Sequence, residues 1–400
     1  MGPGTSEQAA ILGQPLKLPC GVVLKHRIAK SAMSDSLGDG TGNPTPAQRR
    51  LYARWAQGGA ALSLIGEVQP TPRFPEKPGN LVLDPEADLD AMRALAAAGA
   101  GALWLQLGHA GALAHAPISA PEGPSALNIG TLRCTEMSDQ HLRALPGQFA
   151  RAAALARRLG FAGVQIHAAH GFLFSQFLSP LFNRRTDAHG GPIENRCRLL
   201  IETIGEVRAA VGPDFPVALK INASDGLDGG LSEADALAAL RLLDATSLDL
   251  IDISGGTYFP GAAAASDSAG SGPYFTAFAA RARSVTDTPL MVTGGFKTRA
   301  QAAAAVAEGL TDMVGIARGW VLDPNLAATW FTDAGGDPAF PRFGDAPEGG
   351  VTAWYTMRLT ALAEDREDGF ASDPHSALAD YDARDAVRAE RWTARFPIAP

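Results

Sequence analysis

The stretch VQIHAAHGFLFSQF, residues 164–177, sets His167 and His170 three residues apart at the end of an apolar run, with Phe172 just beyond. A His-x-x-His pair chelates metal best on a helix, where the two rings share a face. Here His167 ends a strand-like run, Gly171 follows His170, and no acidic residue completes an HExxH-like set. No metal is therefore expected. Core histidines would sit in the middle of a strand rather than at its end. What is left is a pair of N–H donors aimed at one oxygen.

Other residues could share that site. Lys220 ends PVALKI, and period-two alternation puts it on one face with Ala218. A lysine turned into a core must meet an anion, and the plain alternative is a nearby carboxylate such as Asp225. Gln106 in LWLQLGHAG presents an amide able to donate and accept toward a heterocycle. Gly294 and Gly295 in VTGGF, with Ala317 and Arg318 in GIARGW, can surround an anion with backbone N–H groups. A lone GG is usually only a tight turn. Beside Arg318 it reads as a phosphate cradle.

Something must hold these residues together. Eight short apolar runs recur, at 27–33, 61–67, 102–107, 163–168, 216–222, 248–254, 289–295 and 312–318. Between them lie predicted helices at 46–57, 89–98, 139–159, 194–211, 233–245, 276–285, 299–308 and 324–331. Ser138, Ser232 and Thr298 precede three of them as caps, and Gly160, Gly212 and Gly309 stop three. This alternation predicts an α/β chain folded as a (β/α)8 TIM barrel, whose chemistry sits at the carboxyl ends of the strands. A doubly wound sheet would need GxGxxG after its first strand, and KSAMSDSLGDG does not supply it. LKLPCGVVLKH, around Gly21, predicts an N-terminal hairpin plugging the barrel floor.

Two long segments follow strands, 109–137 and 255–273, and the second, with GAAAASDSAGSG, reads as a mobile lid. FNRRTDAHGGPIENR, residues 182–196, reads as a hydrogen-bonded brace. Residues 1–340 form the expected barrel. Residues 341–400 form a C-terminal helical extension of two helices, packed on the barrel or on a neighbouring subunit.

Composition excludes other classes. The 400 residues are 46% hydrophobic and 19% charged, with a formal net charge of −8, which argues against a nucleic-acid partner. Cys20, Cys134 and Cys197 show no CxxC spacing. MGPGTSEQAA lacks the pattern of a signal peptide, and the apolar stretch 94–116 is broken by Gly99, Gly101, Gln106, Gly108 and His109. A homo-oligomer working in the cytoplasm on a small molecule, with no membrane partner, is the expectation.

At HRIAKSAMS, LWLQLGHAG, VQIHAAHGFLFSQFLSPLFNRRTDAHGGPIENRCRLL, PVALKINASDG, MVTGGF and DMVGIARGW the sequence resembles the old yellow enzyme family, particularly its bacterial NADH:flavin oxidoreductase and ene-reductase branch. The resemblance implies FMN as cofactor and NADH or NADPH as reductant. It places Ala32 and Met33 along the flavin edge, the backbone of Glu67 against the ring and Gln106 on the pyrimidine. Lys220 would stand near N1 and O2, with Gly294, Gly295, Ala317 and Arg318 on the phosphate. It makes His167 and His170 the clamp on the oxygen of an α,β-unsaturated carbonyl, a quinone or a similar electron-poor acceptor, which receives hydride from the flavin.

Three positions depart from the family's usual pattern. Phe172 stands where ene-reductases commonly carry the tyrosine that protonates the α-carbon, and Ser34 and Ser36 stand where some relatives have cysteine and tyrosine. Tyr258, in DISGGTYFPG, is the candidate substitute donor. Without a prompt proton the enzyme could instead be a redox-neutral isomerase or a desaturase on FMN. The alternative of another class is a flavin-free, phosphate-binding barrel serving as lyase or scaffold.

Overall fold

The computed structural model describes residues 4–259, 272–332 and 335–398. Eight parallel strands are β1 Ile28–Lys30, β2 Leu62–Gln69, β3 Leu103–Leu107, β4 Gly163–Ala168, β5 Val217–Asn222, β6 Leu250–Ser254, β7 Leu290–Thr293 and β8 Met313–Ile316. Each pairs with its neighbour in chain order, and β1 pairs with both β2 and β8, so the barrel closes. All eight predicted strands are present. Several ends shift because the backbone leaves the β region there, as at Gly294 and Gly295, whose φ values are 135° and 82°.

Period two sorts the wall into two faces. Leu62, Leu64, Trp104, Ala218, Leu250, Met291 and Met313 turn inward and pack with Leu16, Leu18 and Leu24. Those three leucines belong to the hairpin Leu16–Lys17 and Val23–Leu24, which plugs the floor as expected. The alternate residues, such as Ile65, Leu105, Ile166, Leu219 and Val314, face the helices in the main core. Apolar side chains fill the lower interior, and the inward polar groups of the candidate site lie above them.

Helices Pro46–Gln57, Leu89–Ala98 and Asp139–Leu159 run as predicted, the last capped by the Ser138 hydroxyl and stopped by Gly160 at φ 91°. Thr298 forms a full capping box with Gln301. The single helix predicted over 194–211 is corrected to two, Ile193–Arg196 and Arg198–Val211, meeting at Cys197. The loop read over 109–137 also holds a small sheet of Glu122–Gly123, Leu127–Ile129 and Leu132–Glu136, turned at Gly130. Most of the lid read over 255–273 lies outside the described residues.

Helices Gly350–Ala363 and Pro374–Arg395 form the C-terminal pair. Arg50 and Arg54 bond the carbonyls of Ala363 and Leu362, while Trp392 packs with Val82 and Ile118. Arg388 donates to the carbonyl of Ser36, so the last helix braces the loop after β1. No described helix is long and apolar enough to cross a membrane.

Candidate active site

The inward positions at the upper strand ends are polar, and they join into two networks. In the first, Lys220 Nζ donates to Asp252 Oδ2 at 2.8 Å, and the two residues are register partners on β5 and β6. Thr293 Oγ1 donates to Asp252 Oδ1 at 2.6 Å and lies 2.8 Å from Ser31 Oγ. Gln165 bridges toward Asp252 and accepts from Gln106 Nε2 at 2.7 Å. Lys220 and Asp252 are both essentially fully buried. The partner suggested from sequence, Asp225, is corrected: it accepts from Asn222 and from the backbone of Leu231, in the loop after β5. Asp252 was legible in DLIDIS only once Leu250 was known to point inward.

The other network starts at Glu67, whose carboxyl bonds His167 Nδ1. His167 Nε2 lies 3.1 Å from His170 Nδ1, and His170 Nε2 lies 2.9 Å from Ser254 Oγ. Asn222 Oδ1 accepts from the His170 backbone at 3.0 Å and fixes the turn. By alternation Glu67 should face outward, since Leu62 and Leu64 face in. The β2–β3 register shifts between Ile65 and Val68, and Glu67 takes φ 57°. This bulge swings the side chain inward. Gly108 makes the space, because a Cβ there would stand 2.1 Å from Glu67 Oε2. His170 also holds a left-handed φ of 61°. Such backbone strain concentrates where a site demands a particular aim.

Burial sets the protonation of this chain. It pushes the Glu67 carboxyl up to about 8, against a hydrogen bond from Gln69 that lowers it. Burial likewise pulls His167 down to about 3, helped by Lys220 and opposed by Asp252, and drives His170 well below its usual value. At neutral pH the contact is therefore a neutral acid against a neutral imidazole. With the proton on Glu67, its O–H donates to Nδ1 and His167 carries its own hydrogen on Nε2. Glu76 is the next carboxyl. Burial, then the charge of Glu67, raises it to about 7, and it bonds the Ser34 side chain.

Aromatic rings wall the histidine pair. The Phe172 ring is 4.9 Å from His167 and 5.8 Å from Tyr258, and Tyr258 is 5.9 Å from His170. Phe172 is buried with Phe74, Ala110 and Ala114, whereas Tyr258 is 60% exposed. The structure thus brings His167, His170, Phe172, Tyr258 and Glu67 together, with Gln106 and Lys220 in the adjoining network.

Ala32 and Met33 follow β1, and the Met33 carbonyl accepts from Gly66 beside the bulge. Gly295 cannot carry a side chain: its φ is positive, and a Cβ would stand 2.0 Å from the Gly272 carbonyl oxygen. Ala317 caps the short helix Arg318–Leu322, and the Arg318 guanidinium lies 4.8 Å from the Tyr355 ring centroid. A buried cation, inward amides and a glycine turn next to an arginine form a donor set that suits the ring and phosphate of FMN. Sequence reading missed Asp252 and the Glu67 side chain. Gly66 inside the strand, where glycine often marks a bulge, was the available hint.

The model of the NADH:flavin oxidoreductase / NADH oxidase family matches residues 12–331. The chain is 36% identical over 360 residues to the NADH-dependent flavin oxidoreductase iliE of Hypocrea jecorina, covering 79% of this chain and 87% of that one. It is 32% identical over 325 residues to the NADPH dehydrogenase of Bacillus subtilis, covering 77% and 90%. In fold it is similar to the old yellow enzyme homologue from Zymomonas mobilis, with TM-score 0.71 and 22% identity over 86% of this chain and 98% of that one. These likenesses favour flavin-dependent redox chemistry over an isomerase, a desaturase or a flavin-free barrel. The chain belongs to the NADH:flavin oxidoreductase / NADH oxidase family, the old yellow enzymes, and is an FMN-dependent NAD(P)H oxidoreductase.

Proposed function

We propose that the enzyme reduces activated alkenes conjugated to a carbonyl, with His167 and His170 as the clamp on the carbonyl oxygen. The observation that carries this reading is the linked histidine pair at the barrel mouth, walled by Phe172 and Tyr258. His167 Nε2–H, released from His170 Nδ1 as an acceptor enters, and the His170 ring would together draw electron density from the double bond and stabilise the charge that collects on the oxygen. Bound FMN supplies hydride taken from NADH or NADPH.

In this reading Lys220 and Gln106 would face the pyrimidine end of the ring, with Asp252 holding the lysine in place. Ala32, Met33 and the Glu67 backbone would border the ring, and Gly294, Gly295, Ala317 and Arg318 would hold the phosphate. Phe172 would exclude water and favour an apolar acceptor, with Tyr258 at the solvent edge.

The test is anaerobic reduction of the purified holoenzyme with NADH or NADPH, then reoxidation by a panel of enones and quinones. Reoxidation by enones with one NAD(P)H consumed per alkene reduced is expected. Rapid reoxidation by ferricyanide with no response to any enone would defeat the proposal. Product formation without net NAD(P)H consumption would point to isomerisation.

A further inference from the structure

A carbonyl acceptor that gains hydride at its β-carbon must also gain a proton, and the described residues around the histidine pair limit its source. Phe172, packed against His167, has no proton to give. Tyr258 stands mostly in solvent. The acid in direct contact with the pair is Glu67, buried and bonded to His167 Nδ1.

We propose that the proton goes to the acceptor's oxygen rather than its carbon, Glu67 giving a proton to His167 Nδ1 as His167 Nε2 gives its own to that oxygen. This rests on the reading of the histidines as a carbonyl clamp. The balance closes without a charged histidine. Hydride forms the new β-carbon bond, the alkene pair moves between the α-carbon and the carbonyl carbon, and the C=O pair moves to oxygen. That oxygen takes the Nε2 proton. His167 ends as the Nδ1–H tautomer, Glu67 ends as a carboxylate, and the product leaves as an enol. In water the enol loses its O–H proton and gains one at the α-carbon, while Glu67 regains a proton from solvent.

The geometry makes the transfer short. A neutral imidazole that accepts at one nitrogen and donates at the other never becomes an imidazolium, the form that burial disfavours here. The groups facing Glu67 are His167 from β4, Gln69 on its own strand and Glu76 from the segment after β2; Lys220 and Asp252 act on His167 from behind. Glu67 acts only through His167 and touches no acceptor atom.

The experiment uses carvone, whose α-carbon becomes a stereocentre beside one already fixed. Wild-type holoenzyme is expected to give both epimers of dihydrocarvone at the earliest times, because the α-proton is added in water. A single epimer overturns the relay. Phe172→Tyr, which restores an O–H beside His167, is expected to shift the product toward one epimer. Glu67→Gln keeps a donor to Nδ1 but has no transferable proton. It is expected to slow carvone-dependent reoxidation about a hundredfold, with the loss of rate above pH 8 gone.

An unchanged carvone rate in Glu67→Gln, or a collapse in Tyr258→Phe instead, overturns the proposal. Nitrogen-15 spectra of the wild-type histidines give a readout free of turnover: His167 should be the Nε2–H tautomer at neutral pH and switch toward Nδ1–H above pH 8. A fixed Nδ1–H tautomer overturns it. Ferricyanide turnover without any carvone turnover defeats the enone reading itself, and the relay with it.

Discussion

Two networks lie one above the other at the mouth of one barrel, sharing β4 and β6, and they solve the problem of buried polarity in opposite ways. Lys220, Asp252 and Thr293 hold a charged pair, with both carboxylate oxygens occupied. Glu67, His167, His170 and Ser254 hold a chain that burial keeps neutral. An ion pair fixes charge in place, whereas a neutral chain keeps a proton that can change position. The difference teaches that one layer of the mouth is built to hold and the next to transfer.

The comparison breaks most sharply at Asp252. Asp252→Ala leaves Lys220 buried without its partner, which is expected to cost about 3–5 kcal/mol and to empty the flavin site. Denaturant unfolding and flavin absorbance of the purified variant measure both. The double variant Lys220→Met with Asp252→Leu is expected to regain most of the stability and none of the flavin. If the single variant unfolds as wild type does, Asp252 is not the anchor of the charged side.

Most of the fold was legible because period-two and 3.6-residue patterns are local. Gly163–Ala168 and Asp139–Leu159 could be bounded from sequence, since each ends on a polar switch, a cap or a glycine. The helix break at Cys197 was not legible, because the apolar stripe runs on through it and Leu199 and Leu200 are both buried. At the site, His167, His170, Lys220 and Gln106 could be named from their strand-end positions. Their partners could not. Asp252 pairs across strands, and Glu67 points inward only because a bulge reverses its parity.

The neutral chain leaves a signature in stability. Glu67 has a folded value near 8 against an ordinary 4.5, so between those limits the folded state holds a proton the unfolded state lacks. Its contribution is full below 4.5 and is lost as pH rises through 8. His167 works the other way, losing stability only as pH falls below 6.5, and Glu76 has finished its loss by about 7. Between pH 7 and 8 Glu67 is therefore the main contributor at this site. Glu67 is expected to draw stability down by up to about 1.4 kcal/mol per pH unit in that window while Lys30, pulled down to about 7 by burial, draws it up, so the wild-type curve is expected to be nearly level and the Glu67→Gln curve to rise with pH. Denaturant titrations across pH 6.5–9 measure it, and an identical slope in the variant removes the claim that Glu67 is protonated.

The finest contrast deletes one hydroxyl from each network. Thr293→Val removes a donor to the Asp252 carboxylate, a hydrogen bond to a charge, and is expected to cost about 1.5–3 kcal/mol. Ser254→Ala removes the partner of His170 Nε2, a bond between neutral groups, and is expected to cost about 0.5–1.5 kcal/mol. Asn222 still holds the His170 backbone, so the ring keeps its place and carvone reduction should fall only a few-fold. Thr293→Val should instead weaken FMN retention, because Lys220 leans on the same carboxylate. Equal costs for the two deletions, measured by denaturant unfolding of the apoproteins, would mean that charge is not what separates the two sides.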